Sequence, residues 1–204
     1  MDTKNQSGFT LIELLIALAV AAVLLGIGIP SFSGAIKNSQ VAADYAELRQ
    51  ALFLARSESV KSTSRVTVCP KIALDAEKCG ANADDWQYGW LVFVDNTREP
   101  GETVATIDPD DEIISISAEP RADANITAWG SDDRTSAGSG IRKFIRYGKT
   151  GQAEWTNGSF HICNKDLDPE YSRSLNVAPT GDVRPGRPSG SDYPRDVFGN
   201  EVCK

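Results

Sequence analysis

A chain of 204 residues suits one domain of ordinary size with an appendage, and 41% hydrophobic with 24% charged residues exclude disorder and collagen-like repetition. The net charge of −7, from 28 acidic and 21 basic side chains, argues against a protein built mainly to hold nucleic acid. That charge is uneven: residues 1–73 carry 7 basic and 5 acidic groups (+2), 74–133 carry 3 and 15 (−12), and 134–204 carry 11 and 8 (+3).

The first predicted element is apolar. Phe9 to Ile29 has the length of a bilayer-crossing helix at about 1.5 Å rise per residue, and Leu14 to Ile29 contains no polar side chain. It is a poor secretory signal: the front sets Lys4 against Asp2, the apolar run is too long, and Gly26 to Pro30 offers no small-x-small exit. Glu13 lies five residues into this stretch, where a buried carboxylate costs about 2.5–3.5 kcal/mol at mid-bilayer and so calls for a partner. Pro30 lacks a backbone donor and predicts a bend. The helix then continues over 31–62, with Val41, Tyr45, Leu48, Leu52, Ala55 and Ser59 on one face. Lys37, Gln40, Asp44, Glu47, Gln50 and Glu58 fall on the other, expected to meet water or neighbours.

Beyond Ser62 the texture turns to short β-rich runs: 65–69, 90–95, 112–118, 125–129, 141–147, 159–163 and 174–178. Turn-rich stretches separate them, including Glu99-Pro100-Gly101, Ser136 to Gly140 and Asn157-Gly158. The expected fold class is α+β, a long N-terminal helix packed on an antiparallel β-rich head over 63–204, with Pro185 to Lys204 read as a loop. Four cysteines allow three complete pairings. Nearest-partner logic favours Cys69 with Cys79, closing a short loop, and Cys163 with Cys203, fastening the tail; each is worth about 2–4 kcal/mol.

Sites of reaction chemistry are sparse. His161 is the only histidine and sits in a strand-like run without a nucleophile context, so no catalytic residue is assigned. No C-x-x-C pair exists for zinc, and Asp108 to Glu112 lacks the spacing of a calcium loop, so it reads as a solvated acidic loop; no metal or cofactor is expected.

Gly8-Phe9-Thr10-Leu11-Ile12-Glu13-Leu14-Leu15, followed by Pro30, resembles the class III signal of type IV pilins and type II secretion pseudopilins. The resemblance implies a leader, residues 1–8, that a prepilin peptidase removes between Gly8 and Phe9, with N-methylation of Phe9. It implies that residues 9–30 serve first as a single transmembrane pass and then as filament core, and that Glu13 pairs with the Phe9 amine of a neighbouring subunit, offsetting its burial. The pattern from Ala51 to Cys69, the aromatic run Asp85 to Asp95, Ile145-Arg146-Tyr147, Phe160 to Cys163, Arg173 to Val177 and Thr180-Gly181 is similar to FimT, FimU and GspH proteins.

A structural minor pilin that helps prime or cap type IV pilus assembly is therefore expected. The implied partners are other minor and major pilins, the inner-membrane assembly platform and inner-membrane lipid before assembly. The head would lie in the periplasm, where oxidising conditions permit the disulfides, and later in a pilus or pseudopilus, its tip included.

Two alternatives stand beside this: a GspH-like pseudopilin of type II secretion, and a DNA-binding minor pilin for natural transformation. DNA-capturing relatives carry a Gly-Arg-x-Arg motif near the C-terminus. Here the window reads Gly181-Asp182-Val183-Arg184, with an anion at the first arginine position, and Gly186-Arg187-Pro188-Ser189 lacks the second. Arg184 and Arg187 remain the candidate phosphate contacts.

Overall fold

The structure, a computed structural model, describes residues 10–96, 105–121, 124–130, 143–154, 156–167, 169–188, 194–195 and 203; the side chains of 27–31, 130, 187–188 and 194–195 fall outside the description. The expected turns at Glu99 to Gly101 and Ser136 to Gly140 lie outside it as well. The chain divides into two compact units, Met1–Lys37 and Asn38–Lys204.

One helix, α1 (Leu11–Ser62), runs through both units, and Pro30 falls within it. It ends where Ser62 Oγ donates to the Glu58 carbonyl at 2.7 Å and Thr63 takes a left-handed φ of 53°. In the second unit, Val41, Leu48, Ala51, Leu52, Ala55 and Ser59 are buried and Tyr45 half-buried, the stripe that the three-and-four spacing predicts. Leu48 and Leu52 are fully enclosed, so truncating either to Ala costs about 2–5 kcal/mol.

Asp44 departs from expectation. It belongs to the buried side and is 1% exposed, because Arg121 reaches over it from the segment that follows the strand Glu112–Ile116.

Two antiparallel four-stranded sheets complete the head. The first has the order β3 (Glu112–Ile116), β2 (Trp90–Asp95), β1 (Arg65–Pro70), β5 (Ile145–Tyr147). The second has the order β4 (Asn125–Gly130), β6 (Gly158–Cys163), β7 (Arg173–Val177), β8 (Val183–Pro185). Alternation sends Val66, Val68, Trp90, Val92, Ile145 and Tyr147 of the first sheet, and Ile126, Ala128, Phe160, Ile162, Leu175 and Val177 of the second, into one core with the α1 stripe. A 3-10 helix, Ala83–Tyr88, drives Trp86 into that core, its ring edge-on to Phe160 at 4.6 Å.

The reverse face of the first sheet makes a second apolar cluster of Cys69, Leu91, Phe93, Ala105 and Phe144. The reverse face of the second is polar: Ser159, His161 and Ser174 are buried there, and Ser159 Oγ donates to Asn176 Oδ1 at 2.7 Å.

Several boundaries differ from the sequence reading: the run expected over 141–147 is, among the described residues, a strand only from Ile145, and that expected over 174–178 spans Arg173–Val177. β3 stops at Ile116: the Ser117 N–H still donates to the Trp90 carbonyl, but the Trp90 N–H donates to Ser117 Oγ, and the Ser117 carbonyl accepts from Lys71 instead. The stretch from Pro185 to Lys204, expected to be loop, begins on the last residue of β8 and includes a ribbon in which β9 (Arg187–Pro188) pairs antiparallel with β10 (Pro194–Arg195). The structure joins Cys69 to Cys79 and Cys163 to Cys203, with Cα atoms 5.5 and 5.9 Å apart, and among the described residues no cysteine is free.

Candidate functional site

Gly8 and Phe9, the expected cleavage pair, lie outside the described residues. The description begins at Thr10, whose Oγ1 accepts a hydrogen bond from the Glu13 N–H at 3.3 Å and caps α1. Thr10 and Glu13 have capping-box spacing, so the sequence that encodes the acidic residue also starts the helix, and the helix dipole favours a carboxylate there.

Every described side chain from Thr10 to Gly26 is exposed, among them Leu11, Ile12, Leu14, Leu15, Ile16 and Leu18, each more than half exposed. A helix apolar on all sides is made for burial against something other than its own chain. No helix among the described residues is long and apolar enough to cross a membrane; the described side chains of the apolar run stop at Gly26, short of its end at Ile29.

In the head, Arg56 of α1 fastens two turns. Its Nε donates to the Gly151 carbonyl at 3.1 Å, Nη2 to the Thr180 carbonyl at 3.2 Å, and Nη1 pairs with Asp182 Oδ1 at 2.7 Å. Gly151 and Gly181 have φ of 75° and 81°, and a Cβ on Gly181 would collide with the Gly151 carbonyl, so only glycine permits the two turns to close on each other and on Arg56. Asp182 also receives Arg184 Nη2 at 3.1 Å. Hydrogen bonds from Arg56 first and Arg184 second hold its carboxyl below the usual range. Tyr147 is buried close by, and desolvation raises its phenol well above the ordinary value.

In the window compared with the Gly-Arg-x-Arg motif, Asp182 is engaged by the Arg56 clamp. Asp182 occupies the place of the first arginine and is shared between Arg56 and Arg184, and Arg184 stays well exposed beside it. Arg187 lies on β9 opposite Arg195, with its side chain outside the description. Sequence reasoning missed Arg56 because its partner is 126 positions away and no local pattern links them.

A second polar assembly lies behind the first sheet. Asp95 is buried and accepts from Thr67 at 3.0 Å and Arg146 at 2.7 Å on Oδ2, and from Arg65 at 3.2 Å on Oδ1. Buried charges need such saturation, and losing one partner would leave the others uncompensated. Asp95 and Arg65 line an open cleft of about 930 Å³ together with Ser64, Asn96, Lys149 and Glu154.

His161 stacks on Trp129 at 5.7 Å within the second sheet. In the acidic loop, Asp111 accepts backbone hydrogen bonds from Asn96 and Asp108, which fixes the turn. Among the described residues no cluster of histidine, cysteine and carboxylate side chains is arranged to hold a metal ion.

Residues 3–29 match the prokaryotic N-terminal methylation motif, and residues 45–181 match the family described as type II transport protein GspH. Among solved structures, the type IV minor pilin FimU of Pseudomonas aeruginosa is similar at 16% identity and a TM-score of 0.50, over 81% of this chain and 96% of that one. The minor pseudopilin EpsH from the type 2 secretion system of Vibrio cholerae aligns at 13% identity and a TM-score of 0.44, over 74% and 98%. With an N-terminal methylation motif ahead of a GspH match that spans most of the head, the chain belongs to the GspH family and is a minor pilin or pseudopilin.

Proposed function

We propose that a prepilin peptidase cuts this chain between Gly8 and Phe9 and methylates Phe9, and that residues 9–30 then anchor it as a single pass in the inner membrane. On assembly the same segment enters a filament core, where Glu13 pairs with the Phe9 amine of a neighbour and Pro30 eases the helix between its two parts. The head stands in the periplasm and subsequently on the filament. The observation that carries this reading is the apolar surface of α1 from Leu11 to Gly26, exposed all round, with Glu13 its one charge.

The chain serves as a minor subunit that helps prime or cap a type IV pilus in company with other pilins and the assembly platform. Deletion of the gene with complementation tests this: the reading expects few or no pili in the deletion strain and full recovery with the intact chain. Normal pilus number together with failed protein export favours the pseudopilin reading, to which the description of the matched family points. The anion Asp182 beside Arg184, where a second cation would strengthen phosphate binding, favours a scaffold over a DNA receptor.

A further inference from the structure

The loop closed by the Cys69–Cys79 disulfide and the segment after β3 face each other across a groove of about 550 Å³. Leu74 and Ile116 line it and are 41% and 48% exposed, with Ala76 and Ala118 beside them. Asp75, Glu77 and Glu119 bring three exposed carboxylates to the same lining.

The walls are rigid. Lys71 is buried and its Nζ donates to the Leu74 carbonyl at 2.8 Å and the Ser117 carbonyl at 3.3 Å, tying one wall to the other. Gly89, at φ 90°, lets them close: a Cβ there would lie 2.7 Å from the Ala118 carbonyl oxygen and 3.0 Å from Lys71 Cε. An apolar centre held in a fixed shape and ringed by acid is the complement of an aliphatic knob flanked by cations.

We propose that this groove docks a neighbouring filament subunit of a different sequence, one that presents an aliphatic side chain beside a lysine or arginine. The proposal rests on the chain being a filament subunit. Among the described lining residues the one cation is Lys71, whose Nζ is directed at the Leu74 and Ser117 carbonyls, so the three carboxylates leave the lining net acidic. The three carboxylates of the lining, Asp75, Glu77 and Glu119, give the groove an acidic rim that attracts a cationic partner.

The test is photocrosslinking of the full-length chain in its own cells, with benzoylphenylalanine in place of Leu74 and, as a reference, of Phe53 on the exposed part of α1. The expected result is a crosslink from position 74 to another protein of the pilin class, mapped by mass spectrometry to a peptide with Lys or Arg next to an aliphatic residue. Glu77→Lys with Glu119→Lys should cut its yield about tenfold or more while the position-53 crosslink persists. The milder Glu119→Gln should lower the yield in the same direction. Crosslinking to a second copy of this chain, an undiminished yield in the charge-reversed variant, or a crosslink from position 53 but none from 74 each overturns the proposal while leaving the subunit reading intact. No subunit crosslink from either position overturns both.

Discussion

The two disulfides have unequal consequences because they close loops of different length. In the chain-entropy treatment, the separation of 40 between Cys163 and Cys203 gives a stabilisation of about 3.9 kcal/mol, and the separation of 10 between Cys69 and Cys79 gives about 2.7 kcal/mol. Mutating a cysteine also removes a packed side chain, since Cys69 is fully buried and Cys163 and Cys203 nearly so.

The cleaner perturbation keeps the side chains constant. A head fragment from Asn38, the start of the second compact unit, carries one disulfide only, the other pair being changed to Ala, and is compared oxidised and reduced by urea unfolding. The longer link should contribute about 1.2 kcal/mol more than the shorter by the same treatment. A larger contribution from Cys69–Cys79 would refute the loop-length reasoning and show that the short loop stabilises chiefly through its native contacts, such as the backbone bond from Ile72 N to the Lys78 carbonyl.

Other perturbations follow from single residues. Burial raises the Asp44 carboxyl above its ordinary 3.8 despite Arg121, so the folded state holds that proton more tightly than the unfolded state; stability is gained as pH falls through the raised value and lost as it rises. Asp44→Asn keeps an acceptor for the Arg121 N–H, with Arg121 still beside Glu47. It should flatten the slope above pH 4 and leave the head at least as stable at pH 7 by urea titration. The wild-type head should bind duplex DNA weakly at physiological salt, whereas Asp182→Asn, which frees Arg184, should tighten binding with a steeper salt slope in a fluorescence titration. Glu13→Val should insert into the membrane as well as the parent and yet be depleted from purified filaments on immunoblots.

Periodicity made much of this fold legible. The α1 stripe and the strand runs that carry Val66, Val68, Trp90 and Val92 are short-range patterns that hydrophobic burial enforces. What stayed hidden depends on distant partners. Asp44 has the spacing of an exposed residue until Arg121, 77 positions later, encloses it. Arg56 flanks the stripe with nothing local to mark it as the clamp on Gly151, Thr180 and Asp182. The C-terminal ribbon pairs Pro188 with Pro194, residues whose composition signals a loop. The N-terminal motif was the opposite case, since Glu13 within an apolar run stands out in one dimension.

The most direct measurement is the mass of the N-terminal peptide of this protein recovered from purified filaments. Cleavage at Gly8–Phe9 predicts a peptide that starts at Phe9 and carries one added methyl group, and Gly8→Ala should abolish both it and incorporation. Recovery of assembled protein that still contains Met1 to Gly8 would contradict the reading at its root.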